Sequence, residues 1–127
     1  MAEPSARILL VGHCTPDAYA LRSALTRLIP GAAVECVSCQ DALEQALPRS
    51  ALLLVNRELD GEFEARDGVA LIRALAERTS APRMMLVSNY PDAQAQAQAA
   101  GAVPGFGKRD LYAGQTGRRL LAALGRE

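Results

Sequence analysis

Three short runs of consecutive apolar residues stand out along the chain: Ile8-Leu9-Leu10-Val11 at the end of Arg7 to Val11, Ala51-Leu52-Leu53-Leu54-Val55, and Met84-Met85-Leu86-Val87. Each is too short for a helix, and without polar alternation each suits a strand buried on both faces. Two weaker strands read from Ala33 to Ser38 and from Val103 to Phe106. Between the strands the apolar positions change to a helical period. Thr15 can cap, and Pro16 can fill the first position of, a segment in which Ala18, Leu21, Leu25, Leu28 and Ile29 recur until Pro30-Gly31 stops them. Asp41 to Leu47 is a shorter helix ended by Pro48, with Ala42, Leu43, Ala46 and Leu47 as its apolar positions. A polar stretch, Asn56 to Arg66, leads into Asp67-Gly68 and a helix carrying Val69, Leu71, Ile72, Leu75 and Ala76 inward.

Pro91 to Ala100 is an Ala/Gln-rich helix closed by Gly101, in which Gln94, Gln96 and Gln98 read as solvated. Leu111 to Leu124 is a last amphipathic helix, weakened by Gly114 and Gly117, with Arg118 and Arg119 read as a solvated pair favourable to the helix dipole. Five strands alternating with five helices predict an α/β fold: right-handed crossovers, a parallel sheet, and helices on both of its faces. No internal repeat or linker divides the chain, so residues 1 to 127 are expected to form one domain. In such a sheet, ligands meet the carboxyl ends of the strands. The residues there are Gly12-His13, Asn56, Ser88 and Lys108.

Composition narrows the function. Half of the residues are apolar and 22% are charged, which suits a packed globular chain. Fourteen basic residues balance fourteen acidic ones, so there is no net positive field to recruit nucleic acid or an anionic membrane. Met1 to Arg7 lacks the layout of a secretion signal and no apolar run is long enough to span a bilayer, which together predict a cytoplasmic protein. In that compartment Cys14, Cys36 and Cys39 are expected as thiols. The single C-x-x-C of Cys36 and Cys39, with His13-Cys14 near by, is a weak metal or redox signal, because odd spacing on an extended strand sends the two thiols to opposite faces.

In element order and in the residues after the strands, the chain resembles the receiver domain of two-component response regulators over nearly its whole length. The resemblance implies a flavodoxin-like doubly wound sheet with strand order 2-1-3-4-5. It also implies which positions matter. Ser88 and Lys108, the latter the only lysine beside thirteen arginines, match the family's hydroxyl and lysine positions. Gly12 and His13 stand where the family carries an acidic pair that holds magnesium, and Asn56 stands at its phosphoacceptor aspartate. Magnesium prefers carboxylate oxygens, and an acyl phosphate needs a carboxylate nucleophile that an amide cannot replace. The expectation is an atypical member with no cofactor and no catalytic residue.

Two further positions depart from the family's pattern. Asp67-Gly68 matches the start of its third helix at a longer spacing from Asn56, which implies an insertion around Glu62 to Ala65, and Asp60 sits where a proline is common. The switch aromatic falls on Gly105 when counted back from Lys108, or on Phe106 if Arg109 takes the lysine's place. Three functions remain open: a phosphorylation-independent protein-interaction module, an anion- or nucleotide-binding domain using Ser88 and Lys108, and the receiver half of a longer regulator. For the first, the face formed by the fourth helix, fifth strand and fifth helix is the expected contact, with a sensor kinase, an output protein or a second copy.

Overall fold

The computed structural model describes residues 6–125; residues 1–5, on which the reading of the N-terminus mainly rests, and residues 126–127 lie outside the described part. The elements follow in the order β1 (Arg7–Val11), α1 (Thr15–Leu28), β2 (Ala33–Val37), α2 (Gln40–Ala46), β3 (Leu52–Asn56), α3 (Gly68–Ala76), β4 (Met84–Val87), α4 (Pro91–Ala100), β5 (Val103–Phe106) and α5 (Gly114–Ala123). All neighbouring strands are parallel, in the order β2-β1-β3-β4-β5. This is the predicted doubly wound sheet.

The uninterrupted apolar runs are explained by the two cores they serve. Successive residues of a strand point to opposite faces. Leu9, Val11, Leu53, Val55, Met84 and Leu86 pack under α2, α3 and α4. Ile8, Leu10, Leu52, Leu54, Met85, Val87 and Phe106 pack under α1 and α5 with Leu21, Leu25 and Leu120. The side chains of β1, β3 and β4 from Ile8, Leu52 and Met84 through Val11, Val55 and Val87 are at most 1% exposed.

Most element boundaries fall within a residue of the reading of the sequence, and three departures from it have a physical cause. Thr15 is the first helical residue rather than the cap; extended Cys14 precedes it without a side-chain capping bond, and Pro16, lacking an N–H, is accommodated in the free first turn. Pro48 does not end the second helical region at once: Leu47–Arg49 continue it as a 3-10 turn. The last helix starts at Gly114 rather than Leu111, because Lys108–Asp110 form a 3-10 turn and the Asp110 carbonyl then accepts bonds from the Ala113 N–H and the Thr116 hydroxyl.

Strand β5 lies at one edge of the sheet. Pro104 there is exposed and has no N–H, and Arg119, half-buried rather than solvated, donates from α5 to the Gly105 carbonyl.

Candidate functional site

The carboxyl ends of β1, β3, β4 and β5 bring Gly12, His13, Asn56, Ser88 and Lys108 to one end of the sheet, as expected for this topology. What each group does there is set by its immediate partners. Asn56, at the end of β3, donates its side-chain amide to the Gly12 carbonyl at 3.1 Å and to the Glu58 carbonyl at 2.7 Å. It is a cross-brace between strand ends, and both N–H bonds point at carbonyl oxygens.

Gly12 adopts a positive φ of 74°, and a Cβ there would stand 2.8 Å from the Leu59 side chain. Only glycine meets both demands at low cost. Its carbonyl also accepts the Asp60 N–H. The long β3–α3 connection thus passes over the end of β1 and reaches the β2–α2 turn, where the Glu62 N–H binds the Ser38 carbonyl and the Gln40 N–H binds the Glu62 carbonyl. The inferred insertion is therefore a strap tying the ends of β1, β2 and β3 together. Asp60 is exposed on it.

His13 faces inward. Its Nε2 lies 2.9 Å from the Leu54 carbonyl, which can only accept, so Nε2 carries the hydrogen and Nδ1 is left bare. Nδ1 is buried and has no hydrogen-bond partner among the described residues. Burial lowers the His13 pKa to about 4 and the Lys108 charge acts in the same direction, against the Leu54 hydrogen bond and the Asp17 carboxylate.

Lys108 does not pair with the loop. Its ammonium meets the Asp17 carboxylate at 2.5 Å, in the first turn of α1. Lys108, then the Cys14 thiol, holds the Asp17 carboxyl below its ordinary range against the opposing effect of burial. Both partners are about a third exposed, so the pair contributes on the order of 1 kcal/mol or less. Asp17 is thus the acid that reaches the strand ends, where it meets Lys108 rather than standing free. The available signal was its position one turn into a helix that starts at the end of β1.

Ser88, 9% exposed, accepts the Tyr90 N–H on its hydroxyl, and its own N–H binds the Phe106 carbonyl. Around it lies a shallow pocket of about 200 Å³, lined by Asn56, Arg57, Ser88, Asn89, Tyr90 and Lys108 among others. The Arg57 guanidinium covers the exposed Tyr90 ring at 4.8 Å, a cation–π contact on the pocket's rim.

Phe106, one of the two readings for a switch aromatic, is 4% exposed and turned into the core under α1 and α5. The position facing α4 is Gly105, and the space beside it is filled by Gln94. Gln94 is half-buried rather than solvated: its amide nitrogen donates toward the carbonyls of Leu86, Ser88 and Phe106. Gln96 and Gln98 are exposed, as read. Nothing in an Ala/Gln alternation separates Gln94 from its neighbours; the missing side chain at Gly105 is the complementary signal.

These groups do not fit a magnesium ion. Gly12 offers no side chain, His13 is committed to Leu54, the Asn56 amide nitrogen faces carbonyls, and Asp17 is held by Lys108. Among the described residues no three His, Cys, Asp or Glu side chains gather as a metal set. Cys36 is exposed beside Arg22, while β2 ends at Val37 and Cys39 precedes α2, so the extended spacing argument stops short of Cys39. No described helix is long and apolar enough to cross a membrane.

No protein-family model matches the sequence, and no curated protein matches it. Solved structures do. The chain is similar to the signal receiver domain of a DNA-binding response regulator from Colwellia psychrerythraea 34H, with a TM-score of 0.74 at 16% identity over 96% of this chain and 100% of that one. A response regulator from Chloroflexus aurantiacus J-10-fl gives a TM-score of 0.74 at 19% identity over 98% and 100%. The Salmonella typhimurium response regulator RcsB gives 0.75 at 14% identity, the chain covering 63% of its length and 98% of itself being matched. By topology and by these similarities, the chain has the fold of a response-regulator receiver domain.

Proposed function

We propose that the chain is a single, atypical receiver domain acting in cytoplasmic signal transduction as a phosphorylation-independent protein-interaction module, without enzymatic activity. One observation carries this reading: at the end of β3 stands Asn56, whose amide is spent bracing Gly12 and Glu58, in a site where Asp17 already neutralises Lys108. No carboxylate occupies the acceptor position. A phosphoryl group arriving there would find no nucleophile and a lysine already neutralised. The Gln94 bonds support the same reading, because they hold α4 against the ends of β4 and β5 without any bound group. A sensor kinase, an output protein or a second copy would then meet the face built from α4, β5 and α5, on which Gln98, Pro104 and Ala122 are exposed.

The experiment is incubation with a small phosphodonor under native conditions, followed by intact-mass measurement. We expect no phosphorylated species from the native chain or from Asn56→Asp. The variant replaces two N–H donors by a carboxylate facing carbonyl oxygens, and should lose about 1–3 kcal/mol of stability in urea unfolding. Stable labelling of native Asn56, or of Asp17, refutes the proposal.

A second reading, an anion- or nucleotide-binding domain using Ser88 and Lys108, is favoured by the pocket of about 200 Å³ that both line. A nucleotide or inorganic anion that raises the melting temperature by several degrees, and loses that effect in Lys108→Met, selects this reading. The longer regulators among similar structures also support the chain as the receiver part of a larger protein.

A further inference from the structure

A second surface lies away from the strand ends. Between α1 and α5 runs a trough of about 400 Å³ whose floor and walls include Leu28, Leu111, Gly117 and Leu121. Tyr112 stands over it with 68% of its surface exposed, and Leu28 is 37% exposed. Two of the described chain's large exposed apolar side chains thus border one concave surface.

The trough is shaped by the two residues that weakened the last helix in the sequence. Gly114 and Gly117 fall one turn apart on the α5 side of it. A Cβ at Gly117 would lie in ordinary contact with Leu28, 3.5 Å away. The absent side chain is therefore open space in the trough, not relief of a clash. From Gly114 to Leu121 the α5 wall extends about two helical turns, or roughly 12 Å.

The rim is charged with one sign. Arg27 and Arg118 line the trough, no acidic side chain does, and neither arginine has a carboxylate partner among the described residues. The arginines that do have carboxylate partners lie away from the trough: Arg49 with Glu35, Arg57 with Glu58, Arg66 with Asp67 and Arg78 with Glu44. An apolar floor with unpaired cations at its border complements an amphipathic segment carrying leucine-like residues on one face and carboxylates beside them. A second copy using the same face would bring like charges together.

We propose that the α1–α5 trough is a docking site for an acidic amphipathic helix of a protein partner, separate from the strand-end pocket, with which it shares no lining residue. The probes are two synthetic helical peptides with the same leucine face, one with glutamates and one with lysines opposite, titrated into the isotopically labelled full chain by NMR. The glutamate peptide should bind at least about tenfold more tightly and shift the amides of Leu28, Tyr112, Gly117 and Leu121. Arg27→Glu combined with Arg118→Glu, both at exposed positions, should reverse the preference, and Gly117→Leu should abolish binding by filling the floor. Equal or absent binding by the two peptides, shifts confined to another face, or sedimentation showing that the chain dimerises through Tyr112 would overturn the proposal. None of these outcomes involves a phosphodonor, so the test stands apart from the one above.

Discussion

Gly105→Ala should destabilise the fold by about 3 kcal/mol or more, a loss read directly from the urea unfolding midpoint at constant slope. The new Cβ would stand 2.1 Å from the Leu86 carbonyl oxygen, a backbone atom of the adjoining strand, and 2.8 Å from the Gln94 side-chain oxygen. Backbone cannot swing aside as a side chain does, so β4 and β5 must separate. Gly105→Tyr, which would install an aromatic residue at this position, should cost more still. Gln94→Ala alone removes a donor shared by three carbonyls and should cost about 1–2 kcal/mol. Combining it with Gly105→Ala separates the two obstacles. The double variant should remain at least as unstable as Gly105→Ala, because the Leu86 carbonyl is the harder contact. Recovery of native stability in the double variant would show instead that Gln94 alone excludes a side chain there.

Acidification should reveal His13. In the unfolded chain its pKa is near 6.5, and in the fold it is about 4. Between those values the unfolded state takes up the proton and the folded state resists it, so stability is complete above about pH 6.5 and falls as pH drops toward 4. The difference corresponds to about 3 kcal/mol. The groups facing the imidazole are Lys108, which disfavours its charge, and Asp17, which favours it. Asp17 adds a loss of the same sign at lower pH, since its own carboxyl is held below the usual range and is protonated first in the unfolded chain. The comparison is therefore between the native chain and His13→Gln, whose amide can still donate to Leu54 but does not titrate. The variant should be nearly flat from pH 6.5 to 5, where the native chain weakens; parallel curves would remove His13 from the account.

How much of this was legible before the structure depended on how local the cause was. The stretches Ile8 to Val11, Leu52 to Val55 and Met84 to Val87 of β1, β3 and β4 are buried on both faces, so they carry no polar residue to confuse the period, and the sheet followed from them. The positions at the strand ends were legible for the same reason: Asn56 and Ser88 come directly at or after such runs. Relations between elements were not. The pairing of Asp17 with Lys108 appears only once α1 is packed beside the β5 end, and Gln94 looks like any solvated glutamine until Gly105 is set opposite it. The strap was inferred as an insertion from spacing alone. Its docking to Ser38 and Gln40 uses mainly backbone groups, which leave no trace in side-chain identity, beside the Gln40 side-chain oxygen that accepts the Glu64 N–H, and Gly61 is a further hint: a Cβ there would collide with the Ser38 carbonyl at 2.1 Å.

Pro104 and Arg119 also decide how the sheet can meet other chains. At the β5 margin one hydrogen-bond donor is missing and one acceptor is already occupied by a guanidinium. An extended peptide seeking to lengthen the ladder on that side finds no continuous template. Templated growth toward fibrils, or capture of a partner as an extra strand, is thereby steered to the β2 margin, and recognition near β5 must proceed through side chains.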